Sequence, residues 1–339
     1  MPQGRKGKHL AKHTVLDLLE NAENYLSGEE MSRLLGVSRT AVWKGISVLR
    51  KQGYEIEAKT NAGYRLVKAP DTPTQKAVYE QVRVKDFCPE ILFLQEVDST
   101  NTYLKNMAAK GLSHGTVCIA DRQTSGRGRR GRSFDSQEGK GLFFSILLKP
   151  TGDKVAENLT SITAFAALAV CDAILQVANV HGKIKWVNDI MVGGKKLAGI
   201  LSEMSICGES GQIEYIIVGV GINVHYQADD FLPDVKDIAT SLDMLTNSYV
   251  NRAKLAAALI DNFANMYTAQ ERDKLALTKR YQELSDTIGQ EIYVIAGDTK
   301  RPALAVGIDE NCALQVLYED GTKDSLHYGE ISIRKKIGK

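Results

Sequence analysis

From residue 14 onward the rhythm of apolar and polar positions changes three times along the chain. Leu16 to Leu26 carries its leucines at helical spacing. SGEEMSRLLG (27–36) opens on a Ser-x-x-Glu cap and closes on a glycine, and SRTAVWKGISVLRKQG (38–53) predicts a capped amphipathic helix that stops at Gly53. YEIEAKTNAGYRLVK (54–68) then alternates, turns at Asn61-Ala62-Gly63 and alternates again, the pattern of a β-hairpin. Two helices joined by a tight glycine turn and followed by a hairpin predict a winged helix-turn-helix over residues 1–69, with the helix-turn-helix itself at about 27–46. Ser38, Arg39, Thr40 and Lys44 fall at the start of its second helix, where they could reach base edges or phosphates. A winged helix can also serve as a protein-docking module.

Residues 70–90, with Pro70 and Pro73, read as a linker and a short helix. The rhythm then becomes that of alternating strands and helices. ILFLQEV (91–97) is a strand; Asp98-Ser99-Thr100-Asn101 caps a helix that runs to about Lys110. GTVCIAD (115–121) and LFFSILL (142–148) are strands, and a long helix spans about Asn158 to Val180. KIKWVND (183–189), a hairpin turning at Gly193-Gly194, LAGILSEM (197–204) and EYIIVGVGINV (214–224) complete a mixed sheet. Together they predict a central α/β domain, placed at 91–284. The tail from 285 to 339 has short strands with turns at Gly297-Asp298 and Asp320-Gly321, which predicts a small β-barrel.

Composition narrows this picture. Five scattered cysteines, never in CxxC or Cys/His spacing, suggest neither a disulfide framework nor a zinc site. The most apolar stretch, SITAFAALAVCDAILQVANV (161–180), carries Asp172, Gln176 and Asn179 and suits a buried helix better than a membrane span. The basic amino terminus lacks the apolar run of a secretory signal, so a soluble cytoplasmic protein without a membrane partner is expected. Charge is localised: residues 1–69 hold 12 Lys and Arg against 7 Asp and Glu, a net of +5, while the remainder carries −3. That imbalance favours DNA as the partner of the winged helix.

The candidate chemistry lies at the strand ends, where Ser99, Thr100, Asn101, Gln123, Lys185, Asn188, Asp189, Lys196 and Asn223 gather around QTSGRGRRGR (123–132). Four arginines this close repel one another unless they are solvated or share an anion. Interleaved glycines let backbone N–H groups approach a phosphate. A Walker phosphate loop would require G-x-x-x-x-G-K-[ST], which the chain lacks, and an RGG-type RNA tail would be longer and repetitive. A small bound anion fits best. Taken singly, Ser99 or Asp98 could merely cap a helix, Asn188-Asp189 make a turn and Lys196 be solvated.

GRGRRGR after a strand, KWVND, KKLAGIL and GVGINV, in this order and spacing, resemble the biotin protein ligases, and the amino-terminal winged helix matches the bifunctional class that also represses the biotin operon. The resemblance implies a central domain related to class II aminoacyl-tRNA synthetases and a carboxyl-terminal SH3-like barrel. It implies that biotin and ATP form biotinyl-5′-AMP, with Mg²⁺ sharing the triphosphate charge, and that a lysine of a biotin carboxyl carrier protein then attacks the anhydride. It places Ser99, Thr100 and Asn101 in the biotin pocket. Gln123, Arg127, Gly128 and Arg129 fall on the biotin carboxylate or adenylate, and Lys196 on the biotin carboxyl group. Arg132, Lys185, Asn188, Asp189 and Asn223 take phosphate or nucleotide duties, Asp189 also as a Mg²⁺ ligand, and Arg127, Arg129, Lys185 and Lys196 carry the catalytic charge. It further implies operator DNA and a homodimer driven by bound adenylate through edges of the central sheet. Two departures stand out: Val187 where many relatives have proline, and Phe134-Asp135-Ser136-Gln137 in place of Trp-x-Ser-Pro, a change expected to alter the stacking and rigidity of the loop. A lipoate-type ligase and a biotin-sensing repressor with weak or absent ligase activity are the alternatives; the first normally lacks the winged helix, and the second would be expected to have lost Lys196 or Arg129.

Overall fold

The computed structural model describes residues 14–22, 24–51, 53–68, 71–150, 159–209, 212–296, 299–327 and 332–335. The chain divides into two compact units, Met1–Asp71 and Thr72–Lys339. The basic first thirteen residues, Pro70, the Gly297-Asp298 turn and residues 328–331 lie outside the described residues.

The first unit holds α1 (Val15–Glu20), α2 (Gly28–Leu35), α3 (Arg39–Lys51) and a hairpin of β1 (Glu55–Lys59) and β2 (Gly63–Lys68). Ser27 Oγ accepts from Glu30 N at 3.1 Å, and Gly36 ends α2 in the left-handed region at φ 66°. Leu19, Met31, Val42, Ile46 and Ile56 close a small core between the helices and the wing. Helix α1 is shorter than the Leu16–Leu26 pattern predicts. Leu26 instead trades backbone hydrogen bonds with Tyr64 of the wing, at 2.8 and 2.9 Å, so its backbone groups are spent on a third strand-like contact. Gly63 is required there: at φ 109° a Cβ would lie 2.3 Å from the carbonyl oxygen of Leu26.

The second unit opens with α4 (Gln75–Tyr79), capped by Thr74 Oγ1. Its sheet comprises β3 (Ile91–Val97), β4 (Val117–Gln123), β5 (Gly141–Leu148), β6 (Lys183–Lys185), β7 (Asp189–Val192), β8 (Lys195–Ile206) and β9 (Ile213–Asn223), in the order β3-β4-β5-β9-β8-β7-β6. Only β3 and β4 run parallel; every other neighbouring pair is antiparallel. Strand KIKWVND is two pieces. The chain turns at 186–188 so that Lys185 pairs with Asp189, which buries Trp186 and Val187; the Trp186–Val187 peptide is cis.

Helix α5 (Thr100–Ala108) packs Leu104 and Ala108 on one sheet face with Cys118, Leu147 and Ile217. On the other lie α6 (Leu159–Ala178) and the 33-residue α8 (Arg252–Leu284), an element the pattern above does not assign; the short α7 (Leu242–Leu245) precedes it. Helix α6 is long and apolar enough to cross a membrane, but here it is buried against the sheet and α8. At the N-terminus of α8 the buried Arg252 pairs with Asp121 of β4 at 2.6 Å and donates to Gly141 O at 3.2 Å. Strands β10 (Glu291–Ala296), β11 (Thr299–Ile308), β12 (Leu314–Tyr318), β13 (Lys323–Leu326) and β14 (Ser332–Lys335) form a small antiparallel sheet ordered β13-β12-β11-β10-β14.

The two sheets of this unit are joined through Trp186. Its indole N–H donates to Cys312 O at 2.8 Å, its backbone N–H donates to Thr287 Oγ1 at 2.9 Å, and Tyr281 Oη donates to Val187 O at 3.2 Å. The turn that presents Cys312 is held in turn by α6 and α8: Ser161 Oγ donates to Asn311 O, and Lys274 Nζ to Asn311 Oδ1.

Candidate functional site

A cleft opens on the α5 face of the large sheet, with Asn101, Phe134 and Lys196 among its lining residues. Its floor follows from register. Gly199 and Gly221 are paired with each other across β8 and β9, and Gly221 also opposes Phe143 of β5. Gly219 lies two residues earlier, between Ser145 and Leu201. Without side chains at these positions Asn101 and Phe134 come down onto the backbone. A Cβ on Gly219 would lie 2.2 Å from Asn101 Oδ1, and one on Gly221 2.7 Å from the Phe134 ring.

The polar end of the cleft is built where α5 begins. Ser99, Thr100 and Asn101 are buried at 3–4% exposure, and Ser99, the N-cap residue, makes no side-chain capping bond, so its hydroxyl is not spent on the helix. Gln123, at the end of β4, accepts from Thr100 N at 2.9 Å and Thr100 Oγ1 at 3.2 Å, and donates to Ser136 Oγ at 3.0 Å. Ser145 Oγ stands 2.6 Å from Thr100 Oγ1 and 2.7 Å from Asn101 Oδ1. Asn101 Nδ2 donates to Leu201 O at 3.1 Å and Glu203 Oε2 at 2.8 Å. The side chains of Thr100, Asn101, Gln123 and Ser145 are each fixed by a neighbour, which orders this wall before anything binds.

The arginine loop closes on itself: Gly128 N donates to Arg132 O at 2.7 Å, and Arg130 and Gly131 take positive φ angles of 57° and 71°. Its two inner arginines face the cleft already engaged. Arg127 pairs with Glu203 at 3.2 Å, and Arg129 Nη1 donates to Asn188 Oδ1 at 3.1 Å. Lys196 pairs with Asp189 at 2.6 Å, while its backbone bonds to the 238–240 segment through Ile238 O and Thr240 N. Three cations thus converge on one pocket, each with an acidic or amide partner that an incoming anion would compete with or join.

Nine of the residues singled out from sequence line this cleft together: Ser99, Thr100, Asn101, Gln123, Arg127, Gly128, Arg129, Asn188 and Lys196. Asp189 reaches it only through Lys196. Arg132 is exposed on the loop's outer side, Lys185 stands at the end of β6, and Asn223 is buried with its Nδ2 donating to Thr240 O, so these three are outside the lining. Glu203, Ser145 and the glycine floor were missed, and Phe134, noted only as a departure in the loop, also lines the cleft. Period-2 spacing of Gly199, Gly219 and Gly221 on adjoining strands was the available signal for the floor; nothing local distinguishes Glu203 from any strand glutamate.

The departure at 134–137 also acquires a form. Phe134 keeps an aromatic ring over the glycine floor, edge-on to Phe143 with centroids 6.4 Å apart. Gln137 Nε2 donates to Asp135 Oδ2 at 2.8 Å and Asp230 O at 3.0 Å, and its backbone N–H donates to Tyr226 Oη at 3.0 Å. Lys140 adds a 2.8 Å pair with Asp230. The arginine loop is thereby latched to the segment that follows β9.

Three family models match: Biotin/lipoate A/B protein ligase family over residues 93–223, HTH domain over 12–65, and Biotin protein ligase C terminal domain over 287–334. The bifunctional ligase/repressor BirA of Bacillus spizizenii is 37% identical over 254 residues, spanning 75% of this chain and 77% of the relative. That of Escherichia coli is 30% identical over 326 residues, spanning 94% and 96%. The chain belongs to the bifunctional ligase/repressor family of biotin protein ligases. Among solved structures, the biotin protein ligase of Aquifex aeolicus in complex with biotin and ATP superposes with a TM-score of 0.63 at 31% identity, covering 73% of this chain and 99% of that one. As in the family, a helix-turn-helix domain precedes a ligase domain with a mixed sheet and a small antiparallel β domain.

Proposed function

We propose that this ligase activates biotin with ATP to biotinyl-5′-AMP with release of pyrophosphate, transfers the biotinyl group to a lysine of a biotin carboxyl carrier protein with release of AMP, and represses biotin genes through its amino-terminal unit. One observation carries the ligase reading: a rigid neutral hydrogen-bonding wall and three cations face each other across a single glycine-floored cleft. The wall formed by Ser99, Thr100, Asn101 and Gln123 suits a neutral ureido ring, and Phe134 on its glycines suits an apolar thioether ring and chain.

The cations answer the central difficulty of the first step, attack of a carboxylate on a phosphate that is also negative. Preorganised positive groups in a cleft that excludes water stabilise the developing charge more than solvent would. In this reading Lys196, which lines the cleft, bridges the biotin carboxylate and the α-phosphate. Its pairing with Asp189 holds the ammonium in position until a substrate oxygen takes over. Arg129, braced by Asn188, and Arg127, braced by Glu203, close the pocket from the loop. In the second step the same loop keeps water from the anhydride until the acceptor lysine arrives.

Among the described residues no group of three or more His, Cys, Asp or Glu side chains could hold a metal ion. Mg²⁺ fits this donor set as an ion carried on the triphosphate, which is how it commonly binds, through one or two carboxylates plus phosphate oxygens. Asp189 is the carboxylate that would hold it, and the ion would share the phosphate charge with Lys196. Biotin-dependent exchange of pyrophosphate into ATP tests the reading: it should occur, and fall steeply in Arg129→Ala and Lys196→Ala. Absence of exchange in the unsubstituted protein would sink the ligase assignment. For the repressor half, a duplex carrying a biotin-operon operator should bind more tightly when biotin and ATP are both present, together with dimerisation of the protein.

A further inference from the structure

The chain has two tryptophans, and they are used in opposite ways. Trp186 is 4% exposed; Trp43, on α3, is 58% exposed. Helix α3 turns Val42 and Ile46 into the small core, which leaves Trp43 on the open side, one turn beyond Arg39 and Thr40. Trp43 is not alone on a flat surface. Together with Arg39 and Thr40 it forms one bank of a groove whose other bank is the hairpin turn at Lys59, Thr60 and Asn61.

We infer that this groove clamps one sugar-phosphate strand of duplex DNA, with the Trp43 indole packed against a deoxyribose and Arg39 and Lys59 on the flanking phosphates. The inference rests on the DNA-binding reading of this unit and adds to it a backbone-gripping role for a residue outside the Ser38, Arg39, Thr40 and Lys44 set. Charge selects the occupant. Arg39 and Lys59 stand on opposite banks and Lys44 lies one residue beyond Trp43. Of the nearby acids, Glu57 is already neutralised by Arg65 at 2.8 Å, and Glu29 sits at the end of the groove beside the start of α2. Lys59 and Arg65 pack on the Tyr25 ring, 5.7 and 4.9 Å from its centroid, which steadies the wing's positive side. An apolar ring flanked by cations matches a nucleic-acid backbone, in which apolar sugars alternate with phosphates. Such contacts fix the position of a protein on the duplex and carry no sequence information.

The full-length protein is titrated with a fluorescein-labelled mixed-sequence 40-base-pair duplex at low salt, following anisotropy and tryptophan emission in parallel. Binding should shift or quench emission, and Trp43→Phe should bind with the emission change abolished because the buried Trp186 does not report. Trp43→Ala should weaken binding about tenfold with the salt slope unchanged, whereas Lys59→Ala should lower that slope by about one. Circular dichroism should show both variants folded, as expected for exposed positions. No binding by anisotropy refutes the DNA reading itself. Binding with unchanged emission and full affinity in Trp43→Ala refutes the clamp alone. So does an emission change that follows protein concentration without DNA, which would assign the groove to a second copy, or a Trp43→Ala loss seen on a biotin-operon duplex but not on mixed sequence, which would make Trp43 a base reader.

Discussion

Gly219→Ala tests the cleft at its least conspicuous point. The added methyl would lie 2.2 Å from Asn101 Oδ1 and 2.9 Å from its Cγ. Gly219 cannot retreat, because its strand is paired with Ser145 on one side and Leu201 on the other. Asn101 must move instead, and it is 4% exposed with its amide tied to Leu201 O and Glu203. Forcing a methyl into a packed interior costs about 1–3 kcal/mol, and each hydrogen bond surrendered adds about 0.5–1.5 kcal/mol. A loss of roughly 2–4 kcal/mol follows, which at about 2–4 °C per kcal/mol for a domain of this size lowers the thermal midpoint by roughly 5–15 °C. Because Asn101 opens α5, the Ser99–Thr100 edge shifts with it, and biotin affinity should fall at least about tenfold, equivalent to 1.4 kcal/mol. Gly221→Ala is the matched control. Its methyl would meet the Phe134 ring, at 2.7 Å, and a ring at the edge of a cleft can swing into the open space. That variant should stay within about 1 kcal/mol of the parent and still bind biotin poorly. Thermal melts and calorimetric biotin titrations of both proteins decide the matter. If Gly219→Ala melts and binds like the parent, Asn101 is not the fixed wall of the cleft.

Three further outcomes are expected. Asp121→Ala removes the carboxylate beside Arg252, a pair only 6% and 2% exposed, and should cost about 3–5 kcal/mol in urea unfolding. Tyr226→Phe deprives Gln137 N–H of its acceptor, a loss of about 1–3 kcal/mol, and should release biotinyl-AMP faster than the parent; an unchanged release rate would separate the latch from the arginine loop. His114 is held neutral by burial, which lowers its pKa, and its Nδ1 accepts Lys149 N–H at 3.1 Å. The unfolded chain takes up its proton first, so stability should be full above the ordinary histidine value of about 6.5 and decline below it. His114→Gln should flatten the melting-temperature profile between pH 7 and 5.5 relative to the parent.

Much of this was legible in the chain. Strand β3 coincides with ILFLQEV, the hairpin turns at Gly193-Gly194 with both glycines at positive φ, and Ser27 and Gly36 punctuate α2 as their types predict. These signals are local, and local sterics decided them. The misread places are those that distant parts of the chain decide. Leu26 left its helix to pair with Tyr64, thirty-eight residues away. KIKWVND breaks at Trp186, whose backbone N–H is taken by Thr287 Oγ1 and whose indole N–H is taken by Cys312 O. Within the site, the residue types that chemistry demands could be found from composition and order, but which of them share a cleft could not. Lys185, Arg132 and Asn223 belong to the same motifs as Asn188, yet of these four Asn188 is the one that lines the cleft, because it sits in the turn between β6 and β7, where it accepts from Arg129.

The hydrogen bond from Trp186 to Cys312 means that the boundary between the ligase domain and the small sheet is not a seam where the chain can be cut. Asn188 and Asp189 follow Trp186 directly, so the elements that brace Arg129 and Lys196 are anchored in a turn more than a hundred residues downstream. A chimaera that borrows the cleft from this protein therefore has to bring the turn at 309–313 with it, or supply another carbonyl at the same place.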